Sequence, residues 1–281
     1  MPREIRRASL DLIHIPHFNV PVRSPIPFVV TIHDLILHHY PNEAGFMKRS
    51  AYKFLMRNAV KNSAHIIAVS NFTADSIKET YGEHIGEKIT VIPGGVSDNF
   101  KPASEDEKFE VRNRYDLNEK FIIYTGSSKE HKNVQTLIDA CPEELKLVLT
   151  TGGKEVANLK CRNNTLILDD VKDADLPKLL SAAECFVFPS LEEGFGLPAI
   201  EAMACGCPVG ASNRGSLPEV CGEHAMIVEP DTDSIQNGIN EQCTMKNEQL
   251  RSELVLYANK FSWAKAAEET AKVYRKVLYV H

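Results

Sequence analysis

"CFVFPSLEEGFGLPAIEAMACGCPVGAS", residues 185–212, is the stretch on which the fold turns. It opens on an apolar run closed by Pro189, passes through a Glu- and Gly-rich loop, becomes helical at Pro198, and returns to a second apolar run at 208–212. Strand, loop, helix and strand in such short compass make one βαβ unit, and parallel strands need that kind of crossover.

The same alternation extends outward in both directions. "LDLIHI" (10–15), "FVVTI" (28–32), "HIIAV" (65–69), "KITVI" (88–92), "KFIIYTG" (120–126), "LKLVLT" (145–150) and "TLILD" (165–169) read as further strands. Helical patterns fall at 46–62, 71–81, 133–140, 175–183 and 198–204, then at 232–245, 247–260 and 262–279. The fold class is therefore α/β, with parallel sheets buried on both faces. Pro, Gly and an acidic run interrupt the pattern at 91–107, which predicts a linker there. The division is 1–98, 99–261 and a final helical segment 262–281, and only four strands precede the linker.

The chain has 281 residues, 43 % of them hydrophobic, which is enough for two compact domains. Its 32 basic against 38 acidic residues give a net charge of −6, which excludes the basic footprint of a nucleic-acid binder. Seven cysteines without a CxxC pair read as buried thiols of a reducing compartment. No stretch approaches the length of a membrane span and the first residues lack an export signal, so the expected location is cytoplasmic. Helix 46–62 carries Lys48, Arg49, Lys53, Arg57 and Lys61 among large apolar residues. That pattern suits either a solvated helix face or peripheral contact with the inner membrane surface.

The chemistry gathers where strands end. Glu193 and Glu201 flank Gly194, Gly196 and Pro198. A helix start behind a Gly-rich turn, at the carboxyl end of a strand, is an anion-ready pocket. A carboxylate on either side can accept hydrogen bonds from vicinal hydroxyls. Diol, diphosphate and diol in series is the outline of a nucleotide sugar. An acid–base pair, a metal site and a plain acidic helix start are the other readings of two such glutamates. A second loop, "YTGSSKEHKN" (124–133), offers Gly126, Ser127, Lys129 and Lys132 to a phosphate, and "TIHDL" places His33 and Asp34 just past a strand end.

Together these motifs resemble the retaining glycosyltransferases of family 4, which have the GT-B fold of two facing Rossmann-like domains. The resemblance runs from about residue 9 to the end, through "DLIHIPHFNVP", "TIHDL", "IIAVSNFTADSI", "VIPGGV", "YTGSSKEHKN", the E-x7-E stretch and "GSLPEVCGEHAMIVEPDTDS". It implies that Glu193 contacts donor-sugar hydroxyls and that backbone N–H groups of Gly194, Phe195, Gly196 and Leu197 face sugar and diphosphate. It further implies that Glu201 holds the ribose, that Lys132 binds phosphates, and that His33 meets the sugar from the N-terminal domain. The last helix would pack back on that domain, with a hinge near 95–103 and 260 whose closure brings His33 towards Glu193. No metal or other cofactor is expected, because Lys132 and the helix start supply the positive charge.

Two departures carry consequences. Many members have Arg in the phosphate loop, where this chain has Glu130-His131-Lys132-Asn133, so diphosphate binding is expected to be weaker or pH-dependent. Members also place a strand and a Gly-rich loop ahead of the "DLIHIPH" segment, and this sequence starts beyond them. The expectation is a truncated first sheet whose bare edge invites self-association or a partner chain. The activity implied is transfer of a hexose from a UDP- or GDP-hexose to a carbohydrate or lipid-linked hydroxyl acceptor, with retention. The alternative is a nucleotide-sugar-binding, non-catalytic or split-enzyme subunit. A phosphorylase-like use of the fold would need a cofactor lysine that the sequence does not display.

Overall fold

The computed structural model describes residues 9–244 and 248–280, so the expected helix ends at 245 and 247 fall outside the described residues. The described chain forms two parallel sheets and divides into two compact units. One runs to Gly95 and resumes from Trp263, and the other is Val96–Ser262.

The first sheet joins β1 (Ile13–Ile15), β2 (Phe28–Ile32), β3 (His65–Ala68) and β4 (Ile89–Val91) in that order. Along β2 successive side chains alternate between two cores, as the two-residue period of a strand requires. Phe28, Val30 and Ile32 pack with Tyr52, Met56, Ala59 and Ile77. Val29 packs on the other face with Ile67, Ile92, Val273 and Val277, the last two from the helix Trp263–Val280. A strand buried on both sides has no polar alternation to show, which is why "FVVTI" is apolar but for Thr31, whose hydroxyl bonds His14.

The second sheet contains β5 (Phe121–Thr125), β6 (Lys146–Thr150), β7 (Thr165–Leu168), β8 (Phe186–Phe188), β9 (Val209–Ser212) and β10 (Met226–Val228). Their spatial order is β10-β9-β8-β5-β6-β7, all parallel. The chain winds outward one way from β5, then crosses back to β8 and winds the other way. This is the doubly wound Rossmann order, and its topological switch point lies between β5 and β8. The two units together give an α/β protein of the GT-B class.

Local sequence explains the elements that differ from the expectations. Residues 105–107, read as linker, instead begin the helix Glu105–Arg114. Ser104 and Glu107 form a capping box, and three acids in the first turn with Arg112 and Arg114 in the last suit the helix dipole. The acidic run is thus a helix start rather than a break. β10 was not anticipated; it is a three-residue, half-exposed edge strand too short to show periodicity. The helix after β8 begins at Leu197, one residue before the expected start at Pro198, and Glu201 stands on its second turn. Helices after β7, β8 and β9 all begin Leu-Pro, at 176, 197 and 217. Proline at the first turn costs no intrahelical hydrogen bond and presets the helical φ.

Candidate functional site

The site residues read from the sequence fall mostly on the two loops that flank the switch point. The first loop leaves β5. Tyr124, fully buried, donates its hydroxyl to Ser127 O at 2.6 Å, and Gly126 between them has φ +140°. A Cβ on Gly126 would stand 2.9 Å from the Tyr124 hydroxyl, so the turn needs glycine twice over. A tight turn Glu130–Lys132 follows, ending on Asn133 in the left-handed region.

Three contacts bind this loop to the one after β8. The Leu191 N–H donates to His131 O at 2.7 Å. The Asn133 side-chain amide donates to Pro189 O at 3.2 Å and to Pro230 O at 2.9 Å. Lys132 Nζ donates to Glu193 Oε1 at 2.6 Å, with both side chains largely buried and the ammonium 5.5 Å from the centre of the Phe188 ring. A third loop, after β9, clamps Glu193 from behind. Ser216 N–H donates to Glu193 O at 3.1 Å, and Gly215, at φ +62°, lies so near that a Cβ would meet Glu193 N at 2.6 Å and O at 2.9 Å. Glu193 is therefore held through its backbone and its carboxylate.

Behind that clamp, Gly196 opens the helix Leu197–Ala204 at φ +91°, with no side chain capping the helix start. Phe195 turns its ring away, edge-on to Phe261 at 5.8 Å, which anchors the loop in the apolar interior and leaves its backbone to line the turn. Glu201 is half-buried, and burial alone pushes its carboxyl up to about 7. Among the described residues no cation opposes this carboxylate, which is poised for an outside hydrogen-bond donor.

Among the described residues, eight buried polar side-chain atoms lack a partner; Ser63, Thr165 and Gln242 hold three of them in separate places, and the other five cluster. Ser128 Oγ follows β5, Thr151 Oγ1 follows β6, Ser190 Oγ follows β8, and Asn213 Oδ1 and Ser216 Oγ follow β9. All stand at the carboxyl edge of the second sheet. Buried polar groups are ordinarily satisfied, so a row of unsatisfied ones on a single edge points to a polyhydroxyl or phosphate ligand. Of these, the sequence reading singled out none. Lone hydroxyls carry no spacing signal, although "GSLPE" repeats the Leu-Pro helix start of "FGLPA" and could have flagged Gly215 and Ser216.

His33 belongs to the other unit, exposed just past β2. Its Nε2–H donates to Pro16 O at 3.1 Å, which leaves Nδ1 as the free acceptor. Its own carbonyl accepts from Thr73 Oγ1 at 3.3 Å, and Asp34 caps the next turn through the Ile36 N–H at 3.0 Å. Among the described residues no group of three or more His, Cys, Asp or Glu side chains is arranged to hold a metal ion.

A family model for glycosyl transferases group 1 matches residues 105–273, more than half of the chain, and a model for glycosyltransferase family 4 matches residues 1–100. The chain belongs to the group 1 glycosyl transferases. It is 29 % identical to O-antigen chain mannosyltransferase B of Escherichia coli over 94 % of this chain and 74 % of that protein. It is likewise 29 % identical to O-antigen chain mannosyltransferase RfbU of Salmonella typhimurium, spanning 81 % of this chain but 63 % of that one. Among solved structures, sucrose-phosphate synthase of Thermosynechococcus elongatus superposes with a TM-score of 0.81 at 21 % identity, covering 99 % of this chain and 77 % of its own. Anabaena HepE, solved with UDP-glucose, gives 0.79 at 20 % identity over 98 % and 81 %. These structures share the fold.

Proposed function

We propose that this chain transfers a hexose from a nucleotide diphospho-sugar to a hydroxyl acceptor, with retention of configuration. One observation carries the reading: the Lys132–Glu193 pair bridges the two loops at the switch point, with the unpaired Glu201 carboxylate on the helix just behind. A donor with hydroxyls at both ends and a diphosphate between them fits that sequence of groups. Its sugar hydroxyls would compete for Glu193, its phosphates for Lys132 and the helix start, and its ribose for Glu201. Gly126, Ser127 and the backbone of Gly194, Phe195, Gly196 and Leu197 would complete the donor cradle. We assign His33 to the sugar end of the reaction.

Retention without a committed nucleophile places the burden on stabilising the departing diphosphate while the acceptor attacks the same face. Lys132 and the uncapped helix start supply that stabilisation in this scheme, and no metal or further cofactor is invoked. The names of the two mannosyltransferase relatives favour a mannosyl donor and a growing polysaccharide chain as the acceptor to try first.

The test is calorimetric titration of UDP, GDP and their hexose conjugates into the wild type and Glu201→Ala, followed by transfer assays with His33→Ala and Glu193→Ala. Selective binding lost in Glu201→Ala, with turnover abolished in Glu193→Ala and inverted product absent, supports the proposal. Binding without any transfer across the acceptors tried would favour a nucleotide-sugar-binding subunit that needs a partner chain. No binding by a folded chain would sink the donor site itself.

A further inference from the structure

Helix Phe46–Asn62 has apolar side chains on two opposite faces, and only one of them is packed. Tyr52, Met56, Ala59 and Val60 are buried against the first sheet. At 100° per residue the ridge diametrically opposite that stripe runs through Met47 and Phe54, with Phe46 on its flank. These are 85 %, 58 % and 74 % exposed, respectively. An amphipathic helix on a protein surface normally turns polar residues outward, so large apolar groups on the outer ridge ask for a covering surface.

The charge around the ridge says what kind. Lys48, Arg49, Lys53, Arg57 and Lys61 are all on this helix, which contains no acidic residue, in a chain whose net charge is −6. Arg49 holds its guanidinium 5.8 Å from the centre of the Phe46 ring, so cation and apolar group already share one end of the helix. At the other end a cleft of about 400 Å³ opens beside Arg57 and Lys61, closed by Tyr81 and His84, with no carboxylate in its lining. A flat anionic film with an apolar interior matches both features: headgroup phosphates meet the cations and the cleft, and acyl chains receive Met47 and Phe54.

We propose that this helix lies on an anionic lipid bilayer, with Met47, Phe54 and Phe46 entering the headgroup–acyl boundary and Lys48, Lys53, Arg57 and Lys61 facing the phosphates. The long stems of lysine and arginine can lie along the apolar ridge while their charges stay in the headgroup layer. The proposal is independent of the donor site and of the reaction assigned to it, because every residue named belongs to the first unit and the donor loops to the second.

Flotation with vesicles tests it. Phosphatidylcholine vesicles containing phosphatidylglycerol should carry the wild type upward, pure phosphatidylcholine should not, and raised salt should weaken the association. Met47→Ser with Phe54→Ser should abolish flotation at an unchanged melting temperature, since both side chains are exposed. Lys53→Gln and Lys61→Gln should each lower the partition coefficient roughly fivefold. Leu256→Ser, an exposed apolar residue on another helix, should leave it unaltered. The proposal is overturned if the wild type fails to float, floats equally with uncharged vesicles, or floats unchanged after the serine substitutions. It is also overturned if light scattering finds a dimer that those substitutions dissociate, which would give the ridge to a second copy of the chain.

Discussion

Glu201 is the residue at which stability and ligand binding pull apart. Its carboxyl sits at about 7 against an unfolded value near 4.5, so the folded chain holds its proton across that interval while the unfolded chain loses it. The folded state is therefore penalised as pH rises from 4.5 to 7, and the penalty persists above 7. Discounted for its half-exposed setting, this is about 1–2 kcal/mol. Glu201→Gln should raise the melting temperature at pH 8, do little at pH 5, and weaken nucleotide binding; a variant that melts below the wild type at pH 8 would refute the account. Lys132 behaves oppositely. Lys132→Ala leaves Glu193 without its cation in a buried place, so both stability and turnover should fall, stability by roughly 2–3 kcal/mol by denaturant titration. The sequence made these two residues and Glu193 legible because Gly-rich turns and the E-x7-E spacing mark them. It could not show that Lys132 and Glu193 face each other, since sixty intervening residues set that meeting.

The elements show how such meetings are enforced. Gly215, in the turn after β9, lies hard against the backbone of Glu193, and a Cβ there would stand 2.6 Å from Glu193 N. Gly215→Ala at φ +62° should displace the Glu193 loop, lowering turnover by a hundred-fold or more and costing roughly 2–3 kcal/mol of stability. Equal loss of both would make Gly215 a folding residue alone, as judged by melts beside kinetics. A second clamp ties helix 105–114 to the Leu-Pro helix after β7: Asp175, buried, accepts from Arg114 at 2.6 Å and 2.7 Å and from the Tyr115 hydroxyl at 3.0 Å. Arg114 holds the Asp175 carboxyl below its usual range despite burial, so Asp175→Ala should lose about 2 kcal/mol in denaturant titration, and a loss of under half that would contradict the clamp. Buried strands such as 28–32 and 121–124 were readable from their largely apolar runs, and the Leu-Pro starts mark helices after three strands. Helix 105–114 was hidden because its surface is almost wholly polar, and β10 because three residues are too few to show a period.

At the scale of the whole molecule the final helix is the unusual piece: it follows the second unit in sequence yet completes the core of the first. Two histidines sit beneath it. His14 on β1 hydrogen-bonds the Tyr274 hydroxyl at 2.6 Å and Thr31 Oγ1 at 2.8 Å, and burial lowers its pKa. His65 on β3 bonds Thr90 Oγ1 at 2.8 Å, and burial, reinforced by Lys276 of the final helix and by Lys88, brings its imidazole down to about 4. Both are neutral in the folded chain at pH 7. The unfolded chain takes up a proton on each near 6.5, so the stability tied to them is full above 6.5 and is lost as pH falls below it, for His65 down towards 4. For His65 this is about 2–3 kcal/mol. Trp263, the only tryptophan of the chain, opens the final helix and reports on it by fluorescence. Urea titrations followed at Trp263 should show the midpoint dropping steadily between pH 6.5 and 4, and His65→Gln, uncharged throughout, should flatten that drop. Parallel pH profiles for wild type and variant would mean that His65 is not what couples the final helix to acid.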